Sequence, residues 1–344
     1  MAAERVVATD GVRLAVEAHG DGPPILFSCG YCTTRENFRP QVAPLVAAGF
    51  RVLLWDYRGH GESDAPEQAH AYSMAQVLDD LSCVLDWGAG VGGAAVLAGF
   101  SFGGLASLHF ALRQPGRVRA LMLLDTGPGF KNPEAQARWR AQTEKTAAIL
   151  EQRGFDGFLA SRGADTAVGR HREAPAAIAA AAAIARQRVH GVAQFGRQVS
   201  GLAPSCIDEL AQIEAPSLVL VGAEDTAFLR AAEVLAARLP HARHVVIPDA
   251  GHVTTLEQPE AVTQALLDFL LPPAPQQERG RRQERGRVGF VNFSVSPRWR
   301  LEAEGPRRRP VNSEPGPDVA FGPGVGFCRN RTDRGGFLGR WRSR

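Results

Sequence analysis

No run of about 18 to 20 apolar residues, the length a membrane-crossing helix needs, occurs in these 344 residues. The nearest approach, Ala176 to Ala185, is short, mostly alanine, and flanked by Arg172 and Arg186. Cysteine is sparse and odd in number (Cys29, Cys32, Cys83, Cys206 and Cys328). That argues against a disulfide framework and for a reducing compartment. Met1-Ala2-Ala3-Glu4-Arg5 leads straight into a strand-like segment, without the apolar stretch or cleavage site of a secretory leader. A cytoplasmic location and no membrane span are therefore expected. There is no G-x-x-x-x-G-K-[ST] loop, and the glycine-rich stretch Gly88 to Gly93 precedes a strand instead of following one. That is the wrong context for cradling phosphate. No second C-x-x-C and no Cys/His pair has zinc-ligand spacing. Neither a metal nor a cofactor is expected.

What is present has globular proportions: 44% hydrophobic and 22% charged residues. Collagen-like, coiled-coil and wholly disordered classes are excluded by these figures. The formal charge of +3 is unevenly spread. Residues 272–344 hold 16 Arg, no Lys and 7 acidic residues, a net +9, which leaves −6 on residues 1–271. The break falls at Leu271-Pro272-Pro273-Ala274-Pro275, and Gln277-Glu278-Arg279-Gly280-Arg281 recurs as Gln283-Glu284-Arg285-Gly286-Arg287. Such an Arg/Gly/Pro-rich tail buries too little apolar surface to offset about 1 to 2 kcal/mol of backbone entropy per ordered residue. It is expected to be disordered. Clustered arginines attract phosphates, but no nucleic acid is required by this reading, and an unselected extension fits the composition equally.

In the first 271 residues, short apolar runs alternate with helical patterns. Strands are expected at Arg13–His19, Pro24–Ser28, Val52–Trp55, Ala95–Gly99, Ala120–Leu124, Ser217–Val221 and His244–Ile247. Helices are expected at Phe38–Ala48, Met74–Trp87, Phe102–Gln114, Phe228–Leu239 and Pro259–Leu270. Near-continuous Val/Leu/Ile strands suit a sheet covered on both faces, so the alternation predicts an α/β fold with a doubly wound, mostly parallel sheet. Between Pro128 and Ser205 strand signals vanish, and helical patterns appear at Pro133–Arg153, Ala174–Val189 and Val192–Leu202. An all-helical insert there reads as a lid over the carboxyl ends of the strands, where open α/β sheets bind ligands. The expected organisation is a core in two parts, 1–127 and 206–271, a helical lid at 128–205, and the tail at 272–344.

Gly99-Phe100-Ser101-Phe102-Gly103-Gly104 directly follows one strand and precedes a helix. In that context G-x-S-x-G places a serine on a sharp turn, its hydroxyl exposed at a helix N-terminus that can stabilise negative charge. A serine hydroxyl is a weak nucleophile and needs a base, which in turn needs an orienting acid. His252 follows the strand His244–Ile247, and Asp225 follows Ser217–Val221. Alone, His252 also reads as a loop histidine and Asp225 as a helix cap. Together the three fall at one edge of the sheet in the chain order Ser, Asp, His. Glu224 and Asp249 are rival acids.

With these residues the chain resembles the α/β-hydrolase superfamily, in its lid-bearing serine esterase and lactonase branch, over about residues 10 to 271. Asp56-Tyr57-Arg58-Gly59-His60-Gly61-Glu62-Ser63 is similar to the family's D-x-R-G-x-G-x-S turn, and Gly251-His252 with Glu257-Gln258-Pro259-Glu260 to its histidine loop and final helix. The resemblance implies Ser101 as nucleophile, His252 as general base and then acid, and Asp225 as its orienter. It assigns the D-x-R-G-x-G-x-S turn a structural role. Serine at the elbow separates the chain from the epoxide-hydrolase and haloalkane-dehalogenase branches, which place aspartate there. Where the family has His-Gly after the third strand, this chain has Cys29-Gly30. The implied oxyanion donors are the backbone N–H groups of Tyr31 and Phe102, each such donor being worth about 3 to 4 kcal/mol of transition-state stabilisation.

Cys29-Gly30-Tyr31-Cys32 also has dithiol redox spacing, but Thr33-Thr34-Arg35-Glu36-Asn37 makes a poor helix start at Cys29. The expected function is cleavage of a small carboxylic ester or lactone through an acyl-enzyme. The alternatives are a diketone carbon–carbon hydrolase or perhydrolase on the same triad, or a non-catalytic small-molecule binder of this fold. Phe130, Trp139, Phe155, Phe158 and Phe195 are the candidate pocket aromatics, and His171 and His190 are read as surface residues.

Overall fold

The computed structural model describes residues 4–271; the tail 272–344 and its expected disorder lie outside the described residues. Eight strands form one sheet: β1 (Glu4–Val7), β2 (Arg13–His19), β3 (Pro24–Ser28), β4 (Arg51–Trp55), β5 (Ala95–Phe100), β6 (Val118–Leu124), β7 (Ser217–Gly222) and β8 (Ala242–Ile247). Their order is β1-β2-β4-β3-β5-β6-β7-β8. β1 and β2 pair antiparallel, as do β2 and β4, and every pair from β4/β3 to β7/β8 is parallel. β5, between β3 and β6, is buried throughout, which is why its sequence reads as a continuous apolar run. β1 is the strand-like segment expected at the start of the chain, to which the sequence alone set no bounds. It has only four residues, is half exposed, and exists by pairing Glu4–Val7 against Val16–Arg13.

Helices α1 (Arg39–Ala47), α2 (Met74–Ala89) and α3 (Phe102–Arg113) connect β3 to β4, β4 to β5 and β5 to β6. Ser73 caps α2 by accepting from Gln76 N at 3.2 Å, which satisfies one otherwise unpaired N–H of the first turn. Four helices then form the insert between β6 and β7: α4 (Pro133–Leu159), α5 (Asp165–Val168), α6 (Pro175–Ala185) and α7 (Val189–Gln198). α8 (Leu229–Arg238), α9 (Thr254–Glu257) and α10 (Pro259–Leu270) complete the core. All three expected insert helices have other bounds than expected: the last runs over Val189–Gln198, not Val192–Leu202, and a separate 3-10 turn covers Ser200–Leu202. α4 runs past Arg153 through a kink at Gly154, φ 63°. The alanine-rich helix stops at Ala185, because Gln187 leaves it to accept from Gly61 N at 2.9 Å and donate to Cys32 O at 3.2 Å.

Those contacts seat the insert on the loops after β3 and β4. Asn37 adds a 2.7 Å bond to Ala167 O. The Asp56–Ser63 turn beneath is built as a structural element. Ser63 Oγ donates to Asp56 O at 2.6 Å and accepts from Ala15 N at 2.8 Å, while Asp56 accepts from Arg35 N at 2.9 Å. His60, fully buried, accepts from Cys32 N at 3.3 Å and packs against Tyr57 and Phe195. Burial lowers its pKa to about 4. Between pH 6.5 and about 4 the unfolded chain binds a proton here that the folded chain refuses, so stability is full above that window and falls as pH drops through it. The loss across it is expected to be about 3 kcal/mol. Thermal unfolding as a function of pH checks this: His60→Gln should flatten the wild-type slope between pH 6.5 and 4, and an unchanged slope would exclude His60 as its source.

Candidate active site

Three strand ends converge on one point. Between β5 and α3, Ser101 sits at φ 53°, ψ −118°, a left-handed conformation that non-glycine residues adopt where surrounding structure holds them. Two contacts hold it: Ser101 N donates to Leu124 O at 2.9 Å, and Thr126 Oγ1 donates to Ser101 O at 2.6 Å. The turn closes because Gly103 lies flat on β3; a Cβ there would sit 2.1 Å from Ser28 O. After β8, the loop carries His252 back over the elbow. His252 Nδ1 lies 2.7 Å from Asp225 Oδ2, and Nε2 lies 3.1 Å from Ser101 Oγ. With Nδ1–H donated to the carboxylate, Nε2 is left as the acceptor for the serine hydroxyl. The imidazole stacks on Phe228 at 4.8 Å and leans on Phe100 at 5.1 Å. Both the His252 and Asp225 side chains are nearly buried. Of the rival acids, Glu224 pairs with Arg170, and the carboxylate that His252 Nδ1 meets is that of Asp225, not of Asp249.

Phe102 opens α3, so its N–H has no partner within the helix. Tyr31 follows Gly30, which passes so close to the elbow that a Cβ on it would lie 3.2 Å from Ser101 Cβ. Ser101, Tyr31 and Phe102 all line one cavity of about 440 Å³. Its walls are the loop after β6, Trp139 of α4, Ile207, and Phe228, Ala231 and Val234 beside and along α8. Trp139 donates its indole N–H to Ser200 O at 2.9 Å, leaving its apolar surface for the cavity, and Phe130 stands beside it at 6.1 Å. The charged lining residue, Arg230, is largely exposed and paired with Glu233.

Phe155 and Phe158 do not line this cavity. They pack edge to face against each other at 6.5 Å in the insert's own core, each about 4% exposed. Phe195 is likewise buried, among Tyr57, His60 and Phe102. The insert helices turn these rings toward one another, a rotation that composition does not report. His190, though bonded to Ala65 O at 2.9 Å, is exposed, as is His171. Cys29 and Cys32 are free, buried thiols whose pKa values burial pushes up. Thiolate chemistry needs the opposite shift. Among the described residues no group of three or more His, Cys, Asp or Glu could hold a metal ion. Nor is any helix long and apolar enough to cross a membrane.

One buried carboxyl near the site was not anticipated. Asp125, at the end of β6, accepts from Gly222 N at 2.9 Å and from Thr254 Oγ1. It thereby ties the strand that carries Asp225 to the loop that carries His252. Burial, with Asp225 nearby, pushes its pKa well above the usual carboxylate range. The sequence signal was there: Asp125-Thr126-Gly127 is a fourth polar strand end beside the other three.

The family model for the α/β-hydrolase fold matches residues 23–259. A thermophilic esterase from Thermogutta terrifontis superimposes with a TM-score of 0.67 at 29% identity, covering 78% of this chain and 98% of the esterase. The enol-lactonase from Burkholderia xenovorans superimposes at 0.65 with 26% identity, over 77% and 99%. By sequence, 2-(acetamidomethylene)succinate hydrolase from Mesorhizobium japonicum is 28% identical over 269 residues, 75% of this chain and 92% of that protein.

Proposed function

The chain belongs to the α/β-hydrolase fold family, and on that premise we propose that this hydrolase cleaves a small, uncharged carboxylic ester or lactone through an acyl-enzyme on Ser101. The observation that carries the reading is the hydrogen-bonded line Asp225–His252–Ser101, with spacings of 2.7 and 3.1 Å, ending at the floor of an apolar cavity. In the first step, His252 Nε2 takes the hydroxyl proton as Ser101 Oγ attacks the ester carbonyl. The N–H groups of Tyr31 and Phe102 receive the charge that develops on oxygen. His252 then returns the proton to the departing alkoxide, and the alcohol leaves. Water, deprotonated by the same Nε2, attacks the acyl-enzyme, and the proton goes back to Ser101. Asp225 stabilises the imidazolium in both halves and is not itself protonated. The helical insert acts as a lid that supplies Trp139 and the cavity wall.

A fluorophosphonate probe tests the reading directly. Expected is one covalent adduct per molecule, located on Ser101 by mass spectrometry of peptides, together with turnover of short-chain esters or lactones. Intact protein that takes up no label would refute it and point to a binding protein instead.

A further inference from the structure

The loop that carries His252 is held from behind by a buried carboxylate that the catalytic steps do not use. Glu257, whose side chain is about 1% exposed, accepts from Gly251 N at 3.0 Å and from Val253 N at 3.4 Å. One carboxylate thus grips the backbone on both sides of the histidine. Its remaining partner comes from the insert: Arg170 Nε lies 2.7 Å from Glu257 Oε2. The same guanidinium pairs with Glu224, next in sequence to Asp225, and donates to Asp249 O at 3.3 Å. Two glycines make room for this contact. A Cβ at Gly169 would lie 2.8 Å from Glu257 Cγ, and one at Gly251 would lie 3.0 Å from Arg170 Nε.

We propose that Glu257 is a positioning residue for His252, and that Arg170 makes its grip depend on the seating of the helical insert. The physical reason is the cost of a buried carboxylate. Glu257 keeps its geometry while a cation compensates it; uncompensated, it turns toward water or is protonated, and Gly251 and Val253 lose an acceptor. The imidazole then loses its aim between Asp225 and Ser101, and misplacement by about 1 Å can cost about 100-fold in rate. Arg170 also bridges to the Asp225 side through Glu224, so one insert residue touches both halves of the Asp–His pair. The consequence is that a displaced insert leaves a poorly aligned base, which couples closure over the cavity to competence at Ser101. This rests on the assignment of Ser101, His252 and Asp225 as the triad.

The full chain carrying Arg170→Gln is compared with Arg170→Lys, Glu257→Gln and, as control, Arg172→Gln. Arg172 lies in the same insert segment but bonds Asp165 and the carbonyls of Leu159 and Ser161. Three readouts are taken: the fluorophosphonate labelling rate, kcat and KM on a short-chain ester, and the far-downfield proton resonance of the His252–Asp225 hydrogen bond, assigned by its loss in His252→Gln. For Arg170→Gln and Glu257→Gln, labelling and kcat are expected to fall about 10- to 100-fold with KM nearly unchanged, and the resonance to broaden or shift. Arg170→Lys, which keeps the charge, recovers part of the rate, and Arg172→Gln matches wild type. Wild-type labelling and an unmoved resonance in Arg170→Gln overturn the proposal. So does an equal fall in Arg172→Gln, which would mean general loosening of the insert. If wild type takes no label while the resonance responds to Arg170→Gln, the positioning stands and the hydrolase reading falls. Because Arg170 is more than one-third exposed, its replacement leaves a folded protein to measure.

Discussion

Ser101→Ala is expected to lower kcat on a short-chain p-nitrophenyl ester by about a million-fold, with the unfolding temperature unchanged. Without Oγ there is nothing for His252 Nε2 to deprotonate and no atom to carry the acyl group. What remains is the cavity and the two backbone donors, which in comparable sites still give about 1,000- to 10,000-fold over water. Folding survives because Ser101 Oγ bonds only His252, while the elbow is held by the main chain through Leu124 O and Thr126 Oγ1. His252→Gln should lose a similar factor, and the double variant little more, because residues that act as one unit are not additive. Steady-state rates on purified variants decide the matter. Retention of more than about 1% of kcat in Ser101→Ala is incompatible with a serine nucleophile.

Arg58→Met is expected to be the most destabilising change outside the site. Arg58 is 1% exposed and grips Asp80, which is fully buried, through two 2.7 Å bonds; it also reaches Asp10 at 2.8 Å and Ala71 O at 2.6 Å. Methionine fills much of the volume but leaves Asp80 as a buried carboxylate without a cation. Breaking such a pair from one side costs about 3 to 5 kcal/mol, a large share of the 5 to 15 kcal/mol that typically holds a domain folded. For a body of this size that corresponds to a fall of about 10 °C in Tm. Arg58→Met combined with Asp80→Leu should recover most of the loss, because the penalty belongs to the uncompensated charge. Denaturant unfolding of the two variants checks this. A single variant within about 1 kcal/mol of wild type would mean that Asp80 finds water or another partner. Activity per folded molecule should not change, since neither residue lines the cavity.

The sheet and the tight turn at Ser101 were legible because their signatures are local. Ala95–Phe100 is a buried strand whose sequence is apolar throughout, and Ser101 sits between glycines that the tight turn requires. Asp225 and His252 were legible for a related reason: a parallel sheet brings the ends of its strands to one edge, so position in the chain translates into position in space. The cavity walls were not. Whether Trp139, Phe155 or Phe195 faces substrate depends on how each insert helix is rotated against its neighbours, and those contacts are long-range. The pairing of Arg170 with Glu257 escaped for the same reason, the two being 87 residues apart in the chain. The bounds of β1 escaped because a four-residue edge strand is specified by its partner more than by its own composition.

The hydrogen bond between His252 and Ser101 joins residues 151 positions apart, with the whole insert threaded between them. During synthesis Ser101 therefore leaves the ribosome well ahead of His252, with strands β6 to β8 still to be added before the sheet is complete. Pairings of such sequence separation are costly to close and come late in folding. The nascent chain thus carries the residue 101 hydroxyl without its imidazole partner until His252 has been made. Hydrolytic activity should appear in a single step, as the last parallel strand docks and the histidine loop swings over the elbow.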